Sequence, residues 1–188
     1  TKCIVHANVL NRGFSGSYVG GDGVALFSAA HPTLSGNQSN LLTAADLSES
    51  ALESAVTAIS TMKNARGHIL GAMPKALIIH PSEMFNASRI LDSELQSGAK
   101  TDTTNTNNVN VLKAKGLVDM VIVDPYLTDS DAWFLTTDIP YGLLSFNRRA
   151  LEFTKDNDFD TENAKAKATE RYSVGWADWR GTFGSAGA

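Results

Sequence analysis

The sequence predicts an α+β fold, and three observations carry that prediction. Residues 46–63 and 81–95 place apolar side chains at helical spacing. Several short apolar or alternating runs between residues 75 and 176 read as strands. The regular strand–helix alternation of a doubly wound sheet is missing, so helices and strands do not interleave one for one. With 188 residues, 43% of them hydrophobic, the chain can build one substantial core or two small subdomains that share one.

In chain order, residues 1–11 read as an extended segment, with Ile4, Val5, Val9 and Leu10 apolar among polar neighbours. The chain opens in mid-pattern at Thr1, without Met, and reads as the continuation of a longer or processed N-terminus. Residues 12–30 carry Gly13, Gly16, Gly20, Gly21 and Gly23, a density that opposes a helix. Gly21-Asp22-Gly23 favours a tight turn between two extended arms, and residues 31–40 form a polar loop. Asp46 with Glu49 three residues on reads as a capping box, opening a helix whose apolar stripe is Leu52, Ala55, Val56, Ile59 and Met62. Residues 64–67 end it.

Residues 75–80, KALIIH, form a buried strand between Pro74 and Pro81. A second helix starts at Pro81 or Ser82, with an apolar face of Met84, Phe85, Ala87, Ile90, Leu91 and Leu95, and Gly98 stops it. Residues 99–110 are rich in Thr and Asn and read as a mobile loop. Strands follow at 117–123, 132–137, 143–146 and 150–154. Residues 156–162 form a charged turn. Residues 167–176 then alternate, Ala168, Glu170, Tyr172, Val174 and Trp176 against Lys167, Thr169, Arg171, Ser173 and Gly175, as in a long half-buried strand. The tail 181–188 reads as small and flexible.

Composition narrows the chemistry. Sixteen basic and 20 acidic residues give a net charge of −4, which is no basis for gripping nucleic acid. The single cysteine, Cys3, permits neither an internal disulfide nor a cysteine metal cluster. No stretch approaches the roughly 20 apolar residues of a membrane span. His6, His31, His68 and His80 fall at no metal-ligand spacing and read as structural. The glycine-rich VGGDGVALF lacks the Lys-Ser/Thr and the following helix of a phosphate loop. No Gly-x-Ser-x-Gly elbow is present, and Asp156, Asp158 and Asp160 lack the glycine and distal Glu of a calcium loop. Trp133, Phe134, Tyr172, Trp176 and Trp179 read as core or interface anchors. No cofactor and no catalytic or metal-binding residues are expected, and the chain reads as a structural protein, not an enzyme.

Six segments in one order, GGDGVALFSAAHP, NLLTAADLSESAL, PKALIIHPSE, TNTNNVNV, VIVDPYLTDSDAWFLTT and ERYSVGWADWRGTFGSAGA, resemble the major capsid proteins of tailed phages, including Mu-like head subunits. The resemblance implies a Hong Kong 97-type fold. Residues 1–36 would be the end of the N-terminal region and the extended loop. Residues 37–73 and 145–188 would form a discontinuous peripheral domain, and 74–144 an axial domain. The helix at 46–63 would be the spine helix, with the strand at 167–176 returning beside it. It implies self-assembly into hexamers and pentamers of an icosahedral head that encloses DNA without sequence-specific binding. Scaffold, portal and cement proteins would be further partners, with assembly in the host cytoplasm and no membrane involved. Assembly contacts are expected at Gly20, Gly21, Asp22, Gly23, Phe27, Glu53, Asn105, Asn107, Trp176, Trp179 and Arg180. A bacterial nanocompartment shell of the same fold, and a small soluble α+β enzyme or ligand-binding domain, are the alternatives.

Overall fold

The computed structural model describes residues 2–95, 109–157, 160 and 163–188. It comprises α1 (Lys2–Asn11), α2 (Glu49–Ser60), β1 (Pro74–Ile79), α3 (Met84–Asp92), α4 (Val111–Lys115), β2 (Met120–Val123), β3 (Trp133–Thr137), β4 (Leu143–Asn157), β5 (Ala164–Trp176) and β6 (Thr182–Ser185). The mixed α+β class holds. Four strands form one sheet in the order β2-β1-β3-β6, while β4 and β5 form a separate two-stranded ribbon. β1 runs parallel to β2 and antiparallel to β3. Its residues Ala76, Leu77, Ile78 and Ile79 are all buried, as a central strand covered on both faces requires. Leu52, Ala55 and Ile59 of α2 join Leu77, Ile79, Trp133, Leu135 and Phe183 in the same core. The Trp133 indole N–H donates to Ala45 O at 3.0 Å, so the large ring is buried without orphaning its polar tip.

Several elements differ from the sequence reading. Residues 2–11 are helical, not extended. The segment has neither Gly nor Pro, and Ala7 and Leu10, three apart, turn into the core together. Ser48, not Asp46, caps α2: its side chain accepts Ala51 N–H at 3.3 Å, whereas Asp46 accepts the N–H of Ala188 at 3.2 Å. α3 ends at Asp92, short of Gly98, and buries only Ala87, leaving Phe85 exposed. Ile90 and Leu91 pack partly buried against the core beside Ala87, so the helical stripe faces inward while Met84 and Phe85, in its first turn, stay exposed.

Asn110 nucleates α4 by accepting Leu112 and Lys113 N–H groups, and Gly116 ends it in the left-handed region (φ 56°), so the strand expected from 117 starts at Met120. The strands at 143–146 and 150–154 are one strand. Register shifts between Asn147 and Arg149 and between Arg149 and Glu152 interrupt the apolar pattern without ending the pairing. The alternation at 167–176 is that of a strand, but its partner is β4 and the helix beside it is α1, not α2. β5 is also more exposed than the alternation suggests.

The largest difference is the tail. Residues 182–185 are not a flexible end but β6, wholly buried beside β3. A Cβ on Gly184 would stand 2.9 Å from the Phe27 ring and 3.0 Å from that of Phe134, so only glycine lets the strand close on those rings. The sheet therefore joins residues from 74–144 to residues from the C-terminal segment.

Candidate assembly surfaces

The polar loop 31–40 folds around two buried side chains, His31 and Asn40. The His31 ring stacks on Trp179 with centroids 4.2 Å apart and planes 6° from parallel. Its Nδ1 lies 2.5 Å from Asp22 Oδ2 and its Nε2 lies 2.9 Å from Asn40 Oδ1. Asn40 Nδ2 donates to the carbonyls of Leu26, Thr182 and Trp179 at 2.7, 2.9 and 3.1 Å, while Ser28 N–H donates to Oδ1 at 3.0 Å. One amide thus ties the glycine-rich segment to β6. Arg180 lies over the Trp179 ring at 4.3 Å and donates to Lys63 O and Asp178 Oδ1 at 3.1 and 3.3 Å. Its second guanidinium arm reaches Gln38 Oε1 at 3.4 Å.

These contacts place the residues singled out in the sequence. Gly20 approaches Trp176 so closely that a Cβ would stand 2.8 Å from the indole nitrogen. Val19 bridges Ala25, Gly20 N–H donates to Val24 O at 2.8 Å, and Gly23 takes φ +80°, so the expected tight turn at 21–23 is present, though its arms are not strands. Phe27 is buried, its ring 4.9 Å from Phe14 and 5.2 Å from Phe134. Gly20 thus meets Trp176, Asp22 reaches Trp179 through His31, Arg180 lies over Trp179, and Phe27 packs in the core, all within one chain. Gly21 is exposed at the turn, and Glu53 is exposed on α2. Asn105 and Asn107, with most of the expected mobile loop, lie outside the described residues.

Two surfaces escaped the sequence reading. In the outer half of the ribbon, Phe153 pairs with Ala168 and Lys155 with Ala166, while Leu151 stands in the bulge opposite Glu170. Paired residues share a face, so these side chains, with Ala164, make one apolar face bordered by Lys155. The other face carries Glu152, Thr154, Asp156, Lys165, Lys167 and Thr169. Phe153 is 73% exposed and Leu151 53%. Nearer the base, α1 covers the apolar side: Lys2 pairs with Glu170 and lies over the Tyr172 ring. The signal was the KAKA alternation of residues 165–168, which continues the period-two pattern but with side chains too small to read as core. The second surface is a groove of about 420 Å³ beside α2, floored by Leu42, Ala55 and Trp133 and edged by Leu41, Ser50 and Ser54.

Among the described residues the acidity of Asp131 shifts clearly: a hydrogen bond shared with Asp129 raises its pKa above the usual carboxylate value, and the charges of Asp129 and Asp46 push the same way. Among the described residues no three His, Cys, Asp or Glu side chains stand together as a metal site. No described helix is long and apolar enough to cross a membrane. His31, which has a carboxylate partner in Asp22, is buried and stacked on Trp179.

No curated protein matches the sequence. Among solved structures, the crystal structure of a virus-like particle from Pyrococcus furiosus is similar at 11% identity and a TM-score of 0.43, over 78% of this chain. The chain spans 56% of the length of that one. Residues 5–184 match the family model for phage capsid protein, and the chain belongs to that family of structural, shell-building proteins.

Proposed function

We propose that this chain is a subunit of an icosahedral phage head of the Hong Kong 97 type, assembling as hexamers and pentamers around packaged DNA. The single structural observation that favours assembly is the β4–β5 ribbon. Among the described residues it has no third strand, it holds exposed Leu151 and Phe153, and a two-stranded hairpin standing alone in water is marginal. A neighbouring subunit supplies the missing cover. Head-to-tail contacts of that kind are heterologous, and they close into rings around five- and six-fold axes. In this reading residues 37–73 and 145–188 form the peripheral domain, 74–144 the axial domain and 1–36 the arm and extended loop. The convergence at Asp22, His31 and Trp179 locks that arm to the C-terminal segment, so the subunit presents rigid edges to its neighbours. Scaffold, portal and cement proteins are further partners, and assembly takes place in the host cytoplasm.

The test is negative-stain electron microscopy with light scattering on the full-length protein, followed by nuclease treatment and assay of protected nucleic acid. Closed shells that protect DNA are the expected result. Shells that enclose a protein cargo and no nucleic acid would replace the head with a nanocompartment. A monomer or dimer that persists when scaffold is supplied would remove the shell reading itself.

A further inference from the structure

We propose that the open apolar face of the ribbon's outer half seats in the groove beside α2 of a second copy of this chain, with Lys155 reaching Glu53. The proposal rests on the shell reading and names the contact that builds it. Three observations carry it. First, the ribbon face is continuous with the face that α1 already covers at Glu170 and Tyr172, so only its outer half lacks an apolar partner. Second, the α2 groove is open, floored by Leu42, Ala55 and Trp133, and edged by small residues, Ser50, Ala51 and Ser54, that leave room for Phe153 and Leu151.

Third, one pair of charges is complementary. Residues 41–62 carry Asp46, Glu49 and Glu53 and no Lys or Arg. Residues 143–176 carry six basic and six acidic side chains, so net charge does not steer the ribbon to this groove. On the apolar face of its outer half the charged side chain is Lys155, opposite in sign to Glu53, and an opposite pair of this kind fixes register. Lys155 lies on the apolar face itself, and neither it nor Glu53 has an ion-pair partner among the described residues. Among the described residues β4 and β5 make no substantial packing contact with α2 of the same chain, so a second copy is what brings the two surfaces together.

The experiment uses the full-length protein with its exposed Cys3 replaced by Ser. Phe153→Cys and Ser54→Cys are combined and oxidised under assembly conditions. A disulfide-linked ladder of subunits is expected, and Thr154→Cys, on the opposite face, gives none with Ser54→Cys. Phe153→Ser raises the concentration needed for assembly by about tenfold, as loss of a central aromatic anchor does. Lys155→Glu and Glu53→Lys each raise it by about threefold, and the two together restore it. Normal shells without the 153–54 link, or charge variants that do not compensate one another, overturn this contact and leave the shell reading standing. Absence of both shells and links removes both.

Discussion

At the scale of single residues, the strongest demands fall on Asn40 and Thr182, neighbours in one buried cluster. Asn40 satisfies three carbonyls, one backbone N–H and one His31 nitrogen. Asn40→Ala strands those groups in the interior, and equilibrium denaturation should register a loss of about 3 kcal/mol or more. The hydroxyl of Thr182 is buried and has no partner among the described residues. Thr182→Val keeps the branched shape, removes an unsatisfied polar atom, and should raise stability by about 1 kcal/mol. Opposite signs within one cluster separate hydrogen-bond satisfaction from simple packing, since both changes leave the apolar core in place. Asp131 adds a pH dependence. Its folded pKa is raised by Asp129, so the stabilisation of its protonated form is complete below the ordinary carboxylate pKa. That stabilisation is lost as pH rises through the folded value. Asp131→Asn, which keeps a hydrogen-bond donor and removes the charge, should therefore raise the melting temperature at pH 7 and leave it unchanged in strong acid. A gain of equal size at both pH values would mean that the shared hydrogen bond is not its source.

At the scale of elements, the sequence was most legible where apolar side chains are large and the backbone regular. β1 and β3 were located within a residue because KALIIH and AWFLTT are continuous apolar runs bounded by proline or acidic turns. α2 was read from its 3.6-residue stripe, with only its cap misplaced, because Asp46 and Ser48 are both capable capping residues and the choice between them is tertiary. β6 was illegible for a physical reason. TFGS offers one large apolar residue, and what fixes it as a strand lies elsewhere: the Phe27 and Phe134 rings that need a glycine at 184, and the register with β3. α1 was misread because Ile4, Val5 and Val9 favour strands locally, a weak preference that packing of Ala7 and Leu10 overrides. Of the residues singled out as assembly contacts, Asp22, Trp179 and Arg180 are seen in contacts within the chain, which single aromatic and charged letters do not announce. The ribbon face was missed, since Ala164, Ala166 and Ala168 give no apolar signal until pairing places Leu151 and Phe153 beside them.

At the scale of the whole molecule, a core held by long-range ties carries a ribbon that is not. The sheet, α2 and the His31–Asn40–Trp179 cluster are linked by contacts far apart in sequence, so they open together or not at all. The ribbon is different. Its strands of 15 and 13 residues extend about 40–50 Å at ordinary strand rise, far beyond the part that α1 covers. Its outer half is held by a ladder of hydrogen bonds, and the exposed Arg149–Glu152 pair lies within β4 and ties nothing across the strands. Local opening should therefore be frequent there and rare in the core. Trypsin has targets in both regions, with Lys155, Lys165 and Lys167 on the ribbon and Lys75 in β1. Because cleavage follows the population of the open form when closing is fast, free subunits should be cut in the ribbon at least about tenfold faster than in β1. Peptide mapping over a time course measures the ratio. In assembled particles the ribbon sites should lose that excess, because a neighbour covers the face that the single chain leaves bare. Equal rates in the free subunit would mean that the ribbon is stable alone and that assembly is not what completes it.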